Sequence, residues 1–387
     1  MTLGEKLSLS FVLCAVFLIS SCGYVRALAD QAQSQTQSPD ANRLIALARA
    51  YAQGAHPAAA QTIGKQVLVS SASADGTQQD AEYKNEIMMD LVRKDYDALE
   101  KAAQEDRSPS ARLSGGTWRV WSFYDGVDIP PGGDDASDDD WNARIDALKA
   151  WATARPQSSA AQLALAGIYD DFGRKARGGG YADSVSDDGW KLYNERLALA
   201  QSALENAAKL KEKSPYWYSL MYEIALAQGW DKSQAKQLLD AAISFEPSYY
   251  HVYRQQANYL LPKWYGQPGD AQAFADQVSN QIGGEQGDFV YFEIASTVVC
   301  GCDPDDAAQL QSFSWPRIKS GYAALEHLYG YSSLKANRFA FMALTANDKQ
   351  SAQATFQVIG DNWNADVWHT QADFLKAKFW AEGPQGQ

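Results

Sequence analysis

The chain has 387 residues, 46% of them hydrophobic, which is enough to bury an extensive core and too apolar for a disordered polymer. Its 34 Lys and Arg stand against 47 Asp and Glu, and the resulting net charge of -13 gives a surface that repels phosphate backbones and anionic lipid. Nucleic acid is not expected as a partner, and composition by itself names no reaction.

Residues 1–29 read as an export signal. Lys6 is followed by an apolar run from Leu7 to Ile19 broken only by serines, shorter than the roughly 20 apolar residues of a spanning helix. Two processing sites compete. Ile19-Ser20-Ser21-Cys22 resembles a bacterial lipobox, which makes 1–21 the signal and Cys22 the lipidated first residue. Ala27-Leu28-Ala29 resembles an ordinary signal-peptidase site and would release a soluble periplasmic or secreted protein starting at Asp30. The lipobox is preferred because the apolar run ends directly at Cys22. Gly23 lacks the aspartate that retains such lipoproteins at the inner membrane, so the resemblance implies an outer-membrane lipoprotein facing the periplasm, touching the membrane only through its anchor.

Residues 22–39 are Gln/Ser-rich and read as a tether. An N-terminal helical region, 40–155, follows. It holds helices over Asp40–Gln53 and Ala81–Gln104, the second broken at Lys94-Asp95, where Asp95 caps a helix beginning at Tyr96. Gly115-Gly116 opens an aromatic stretch with Trp118, Trp121, Phe123 and Tyr124, and Pro130–Asp140 is a loop whose last aspartate caps a helix near Trp141.

From 156 to 387 the apolar spacing is helical and paired. Pro215–Pro247 contains one helix, a turn at Gly229-Trp230-Asp231 and a second helix ending at Phe245, with Ala235, Leu239, Ala242 and Pro247 at tetratricopeptide (TPR) spacing. Small alanines let paired helices approach, and the proline ends the second one. Pro247–Gly283 gives another pair, Pro156–Leu210 a stretched pair around an insertion at 173–189, Phe289–Tyr329 and Leu334–Ile359 two degenerate pairs, and Val367–Trp380 a closing helix. The predicted fold is an all-α, TPR-like superhelix of antiparallel helix pairs without a substantial sheet.

Four further segments are Ala176-Arg177-Gly178-Gly179-Gly180-Tyr181-Ala182, Leu260-Leu261-Pro262-Lys263-Trp264-Tyr265-Gly266, Trp315-Pro316-Arg317-Ile318-Lys319-Ser320-Gly321 and Asn337-Arg338-Phe339-Ala340. Together they resemble an uncharacterised bacterial family, a domain of unknown function built from TPR-like helices and often exported. The likeness runs over roughly 85–385 and implies a fold but no activity. The chain departs from the family at Lys263 and Tyr265, where Arg and Gly are usual.

The motifs of familiar chemistry do not appear. His56, His251, His327 and His369 are scattered without metal-ligand spacing, and there is no nucleophile elbow, P-loop or dinucleotide fingerprint. Asp138, Asp140 and Asn142 open like a calcium loop, but Ala143 and Lys149 replace its glycine and bidentate glutamate. No metal or cofactor is expected. Cys300-Gly301-Cys302 can close a tight disulfide in an oxidising compartment; a redox pair and a soft-metal site are the alternatives. The abundant aromatics supply candidate anchors: Tyr181, Trp264, Tyr265 and Trp363 fall in loops or at helix ends, and Arg177, Lys263 and Arg317 are close to such aromatics in sequence. The expected function is a non-enzymatic scaffold or binding protein of the cell envelope, taking a protein, peptide or extended glycan in a groove formed by these seven residues. The alternative is a glycan-active enzyme with a carboxylate pair, though acids are too abundant to single out Asp170-Asp171 or Asp305-Asp306.

Overall fold

The computed structural model describes residues 40–54, 74–179, 184–299 and 306–383. The signal and tether, Cys22, Cys300, Cys302 and Tyr181 lie outside them. The body is all-helical, with eighteen α-helices and no strand among the described residues. None of these helices is long and apolar enough to cross a membrane.

In chain order the helices are α1 (Ala41–Gln53), α2 (Gly76–Arg93), α3 (Tyr96–Asp106), α4 (Arg119–Asp128), α5 (Asp138–Ala154), α6 (Ser159–Arg177), α7 (Asp187–Lys209), α8 (Tyr216–Ala227) and α9 (Lys232–Phe245). They continue with α10 (His251–Tyr259), α11 (Asp270–Ile282), α12 (Gly284–Val298), α13 (Asp306–Gln311), α14 (Trp315–Tyr329), α15 (Ser333–Thr345), α16 (Lys349–Ile359), α17 (Ala365–Trp368) and α18 (Gln371–Glu382). The predicted Asp95 cap is present, its carboxylate accepting from Ala98 N at 3.1 Å. At α9, Asp231 and Gln234 close a reciprocal capping box. Several boundaries differ from expectation. α2 starts at Gly76, five residues before Ala81, because Asp75 caps it by accepting from Thr77 N. α5 starts at Asp138 because Ser137, and not the last aspartate of the loop, is the cap. The closing helix is split at His369, whose φ of 59° ends α17 before Thr370 caps α18.

The hairpins form two layers. Eleven of the twelve residues of α8 are buried, against seven of the twenty-three of α7, so α8 is an inner helix and α7 an outer one. By packing, the inner helices make a circuit: α2 on α4, α4 on α6, then α8, α10, α12, α15 and back to α2. A latch closes it. Gly76 N donates to Tyr331 O at 3.0 Å, Ser333 N to Asp75 Oδ1 at 2.8 Å, and Leu334 N to Thr77 Oγ1 at 2.9 Å. Gly76 is required at this junction, since a Cβ there would stand 1.9 Å from Ser114 O.

The segment 111–124 runs against the inner helices. Trp118 meets Tyr249 edge-on at 5.1 Å, Trp121 stacks on His251 at 4.3 Å, and Tyr124 stacks on Tyr216 at 4.0 Å. Such pairs each add about 0.5–1.5 kcal/mol beyond the area they bury. Buried Arg112 anchors this segment, donating to the carbonyls of Pro109, Gly116 and Ser248 with its guanidinium 3.8 Å from the Trp118 ring. The inner faces around Tyr216, Tyr249 and His251 are therefore covered by the chain itself. At these three residues the inner face is closed and offers no open groove.

A candidate ligand site lined by two arcs of charge

Inside the circuit, polar side chains from seven helices form a belt. It begins on α2, where Lys84 Nζ lies 2.7 Å from Asp80 and 2.9 Å from Asp125 of α4. It passes to α6, where Arg174 joins Asp170 at 2.9 Å, Asp171, and Glu223 of α8 at 3.0 Å. Gln255 of α10 donates to Glu223 at 3.2 Å, and its neighbour Arg254 reaches Glu293 of α12 at 3.7 Å. Lys335 of α15 closes the belt, donating to both Glu293 oxygens at 2.6 and 2.7 Å. Glu223 is the one residue of α8 that is not buried, a polar interruption of an otherwise apolar helix. Half-buried Trp121, one turn before Asp125 on α4, stacks on buried His251, one turn before Arg254 on α10.

One half is an acidic arc: Asp80, Asp125, Asp128, Asp170, Asp171 and Glu223 gather around the cations Lys84, Arg174 and, beside Asp128, Arg144. Burial raises the Asp170 carboxyl to about 7, with Arg174 opposing the shift and Glu223 and Asp171 adding to it. Asp128 is raised well above the usual carboxylate range, first by burial and then by Asp171 and Asp125. Its Oδ1 has no hydrogen-bond partner among the described residues, and its Oδ2 lies where a Cβ on Gly167 would be, 2.3 Å away. Gly167 thus lets α6 pass directly over this carboxyl. Lys84 is also raised, but here the shift keeps the charge: burial works against it, and Asp125 and Asp80 outweigh burial and hold the ammonium.

The other half is a basic arc of Arg254, Lys335 and Arg338 around Glu293, whose side chain is 0% exposed. Arg254 Nε is also fixed by Thr297 Oγ1 at 2.6 Å. Burial lowers Lys335 to about 8 despite its bond to Glu293, and burial and neighbouring Arg254 lower Arg338 to about 10. His251 is held neutral by burial and by Arg254, Lys335 and Arg112, and its Nε2 has no hydrogen-bond partner among the described residues.

The residues expected to form a groove are elsewhere. Trp264 is buried, 2% exposed, and is a packing group, not a solvent-facing anchor. Tyr265 stacks on Tyr259 at 4.6 Å and donates to Leu226 O, and half-buried Lys263 belongs to the same turn. Arg177 is buried with its guanidinium 4.9 Å from the Trp190 ring. Arg317 pairs with Asp276 and Asp288 on the outer hairpins, and Trp363 packs against the core between α16 and α17. These contacts place the residues in separate hairpin junctions. The near-calcium segment serves a helix end: Asp140 closes the Ser137 capping box and Asp138 pairs with Lys175. No group of three or more metal-ligating side chains is found among the described residues.

Glu293 and Lys335 carried a sequence signal that periodicity overlooks: each is a charge in an apolar helical run, costly to bury unless paired or used. No family model matches the chain, and neither a curated protein nor a solved structure matches it.

Proposed function

We propose that this chain is an exported, lipid-anchored protein of the cell envelope, built from TPR-like hairpins, that binds the polar end or a short segment of a peptide or glycan at the charged belt. The observation that supports it is the belt itself: half-exposed Asp125, Asp171, Arg174, Glu223 and Arg254 converge from four helices, two of which also carry the Trp121–His251 stack. Such convergent polar groups orient a ligand, and the stack offers it an apolar face.

The test is capture from envelope extracts by the full mature chain, with bound material identified by mass spectrometry. Wild type and a Phe379→Ser variant, altered on the outer surface at a side chain 79% exposed, should retain the same peptide or glycan. An Asp171→Asn/Glu223→Gln variant of unchanged circular dichroism should not. Equal retention by that variant overturns the reading. The anchor has its own test: labelled palmitate should enter the wild type and not Cys22→Ala, and labelling of both removes the lipobox.

One observation favours a second reading, a glycan-active enzyme. Asp128 and Asp170 are carboxyls pushed toward protonation beside Asp171, and a raised carboxylic acid can protonate a leaving oxygen while an ionised neighbour acts as base. Release of reducing ends from envelope glycan, abolished in Asp128→Asn, would establish it; no release by the wild type excludes it.

A further inference from the structure

We infer that Arg254, Lys335 and Arg338 form a subsite for an anionic group, a carboxylate or a phosphate, at one side of the belt. This rests on the belt being a ligand site and names what one half of it holds.

The argument starts from hydrogen-bond supply. Glu293 is already engaged: both its oxygens accept from Lys335 Nζ, and Arg254 stands 3.7 Å from one of them. Arg254 spends its Nε on Thr297. Arg338, one helical turn after Lys335 on α15, makes no hydrogen bond or ion pair with a described residue, although its guanidinium carries five donors. The groups that act on it electrostatically are Arg254, Glu293, Asp366 of α17 and Tyr250. Three cations thus gather around one carboxylate that is bonded to Lys335, and Asp366 is the further acid acting on Arg338.

Half-buried Arg338 keeps only part of its hydration, and a guanidinium partly desolvated beside another is costly unless something compensates it. An oxyanion does so, because Arg presents a planar fork that matches carboxylate and phosphate oxygens in pairs. His251 supports the assignment from below: its ring is neutral and its Nε2 unpaired among the described residues, so this side of the belt keeps an unused polar atom as well.

The experiment is calorimetric titration of the full mature chain at low ionic strength with three probes: inorganic phosphate, N-acetyl-dialanine, and N-acetyl-dialanine amide. Saturable binding of phosphate alone assigns a phosphate-bearing ligand. Binding of the free acid with the amide silent assigns a carboxylate, and binding of both anions leaves the subsite a general oxyanion holder. In each case Arg338→Gln should weaken binding by about tenfold or more, with Arg338→Lys between it and wild type because the charge remains while the fork is lost. Circular dichroism and thermal melting of Arg338→Gln should match wild type.

Two results overturn the inference: neither anion binds the wild type, or Arg338→Gln binds as tightly as wild type. These failures are separable from failure of the binding function. If capture from extracts still depends on Asp171 and Glu223, the belt remains a ligand site held by its acidic arc alone. If capture is also unaffected, both readings fall.

Discussion

The two arcs of the belt carry opposite charge but solve the same electrostatic problem differently. In the acidic arc the carboxylates outnumber their cations, and the excess is relieved by protonation: burial raises Asp170 to about 7 and lifts Asp128 well above its usual range. In the basic arc the cations outnumber their carboxylate, and burial drives Lys335 down to about 8 and Arg338 to about 10. Neither arc is balanced internally. Apolar side chains of similar volume would be no less stable than a buried ion pair, so stability alone gives no reason for two opposed surpluses, whereas a ligand bearing both kinds of polar group does.

The comparison breaks most sharply at Glu293. Replacing it with Gln leaves Lys335 and Arg254 facing each other without the negative charge between them, and breaking a buried pair in this way costs about 3–5 kcal/mol. Urea denaturation should show that loss. A Glu293→Leu/Lys335→Met double variant should recover most of it, since the stranded charge goes with its partner. A loss below about 1 kcal/mol in the single variant would mean that this pair is not what joins α12 to α15.

The acidic arc should break sterically. Gly167→Ala sets a methyl where the Asp128 carboxyl lies, 2.3 Å from Oδ2, and overpacking of this kind costs about 1–3 kcal/mol. The cost should shrink when Asp128→Ser is present as well, a coupling that a double-mutant cycle measures directly. Additive effects would show that Gly167 serves helix packing and not the carboxyl.

How much of this was legible depends on the range of the interactions. Helix limits set by local chemistry were readable: Asp95 caps α3, and the turn expected at Gly229-Trp230-Asp231 leads into α9. Splitting the last helix at His369 was not, because it turns on one positive φ, which histidine tolerates better than most side chains but does not demand. The belt was invisible as a unit. Asp80 and Arg338 are brought into one circuit only by the latch between 75–77 and 331–334, a contact across more than half of the chain. Trp264 misled for a related reason. Its turn folds back so tightly that a Cβ at Gly266 would stand 1.6 Å from Leu260 O, and the tryptophan goes inward.

A third difference between the arcs is one of pH. Between the free carboxyl value of 3.8 and about 7, the native state holds a proton on Asp170 that the unfolded chain gives up. The contribution is fully present below that window and is lost as pH rises through it, with a slope of at most about 1.4 kcal/mol per pH unit. Asp170→Asn should flatten the decline in unfolding free energy between pH 5 and pH 8 and make the variant relatively more stable at pH 8. An unchanged slope would assign the effect to other groups, Asp128 first among them.

The smallest effect is the most discriminating. Arg338→Gln removes a whole charge, yet it breaks no hydrogen bond or ion pair with a described residue and relieves repulsion from Arg254, so stability should stay within about 0.5 kcal/mol of wild type or rise slightly. Glu293→Gln, in the same arc, is expected to do the opposite. A residue whose removal costs the fold nothing while its neighbour's removal costs several kcal/mol is one whose charge the fold does not need, which leaves a ligand as the remaining source of compensation. A melting temperature lowered by Arg338→Gln as much as by Glu293→Gln would reverse that argument and make the whole basic arc a structural brace between α10, α12 and α15.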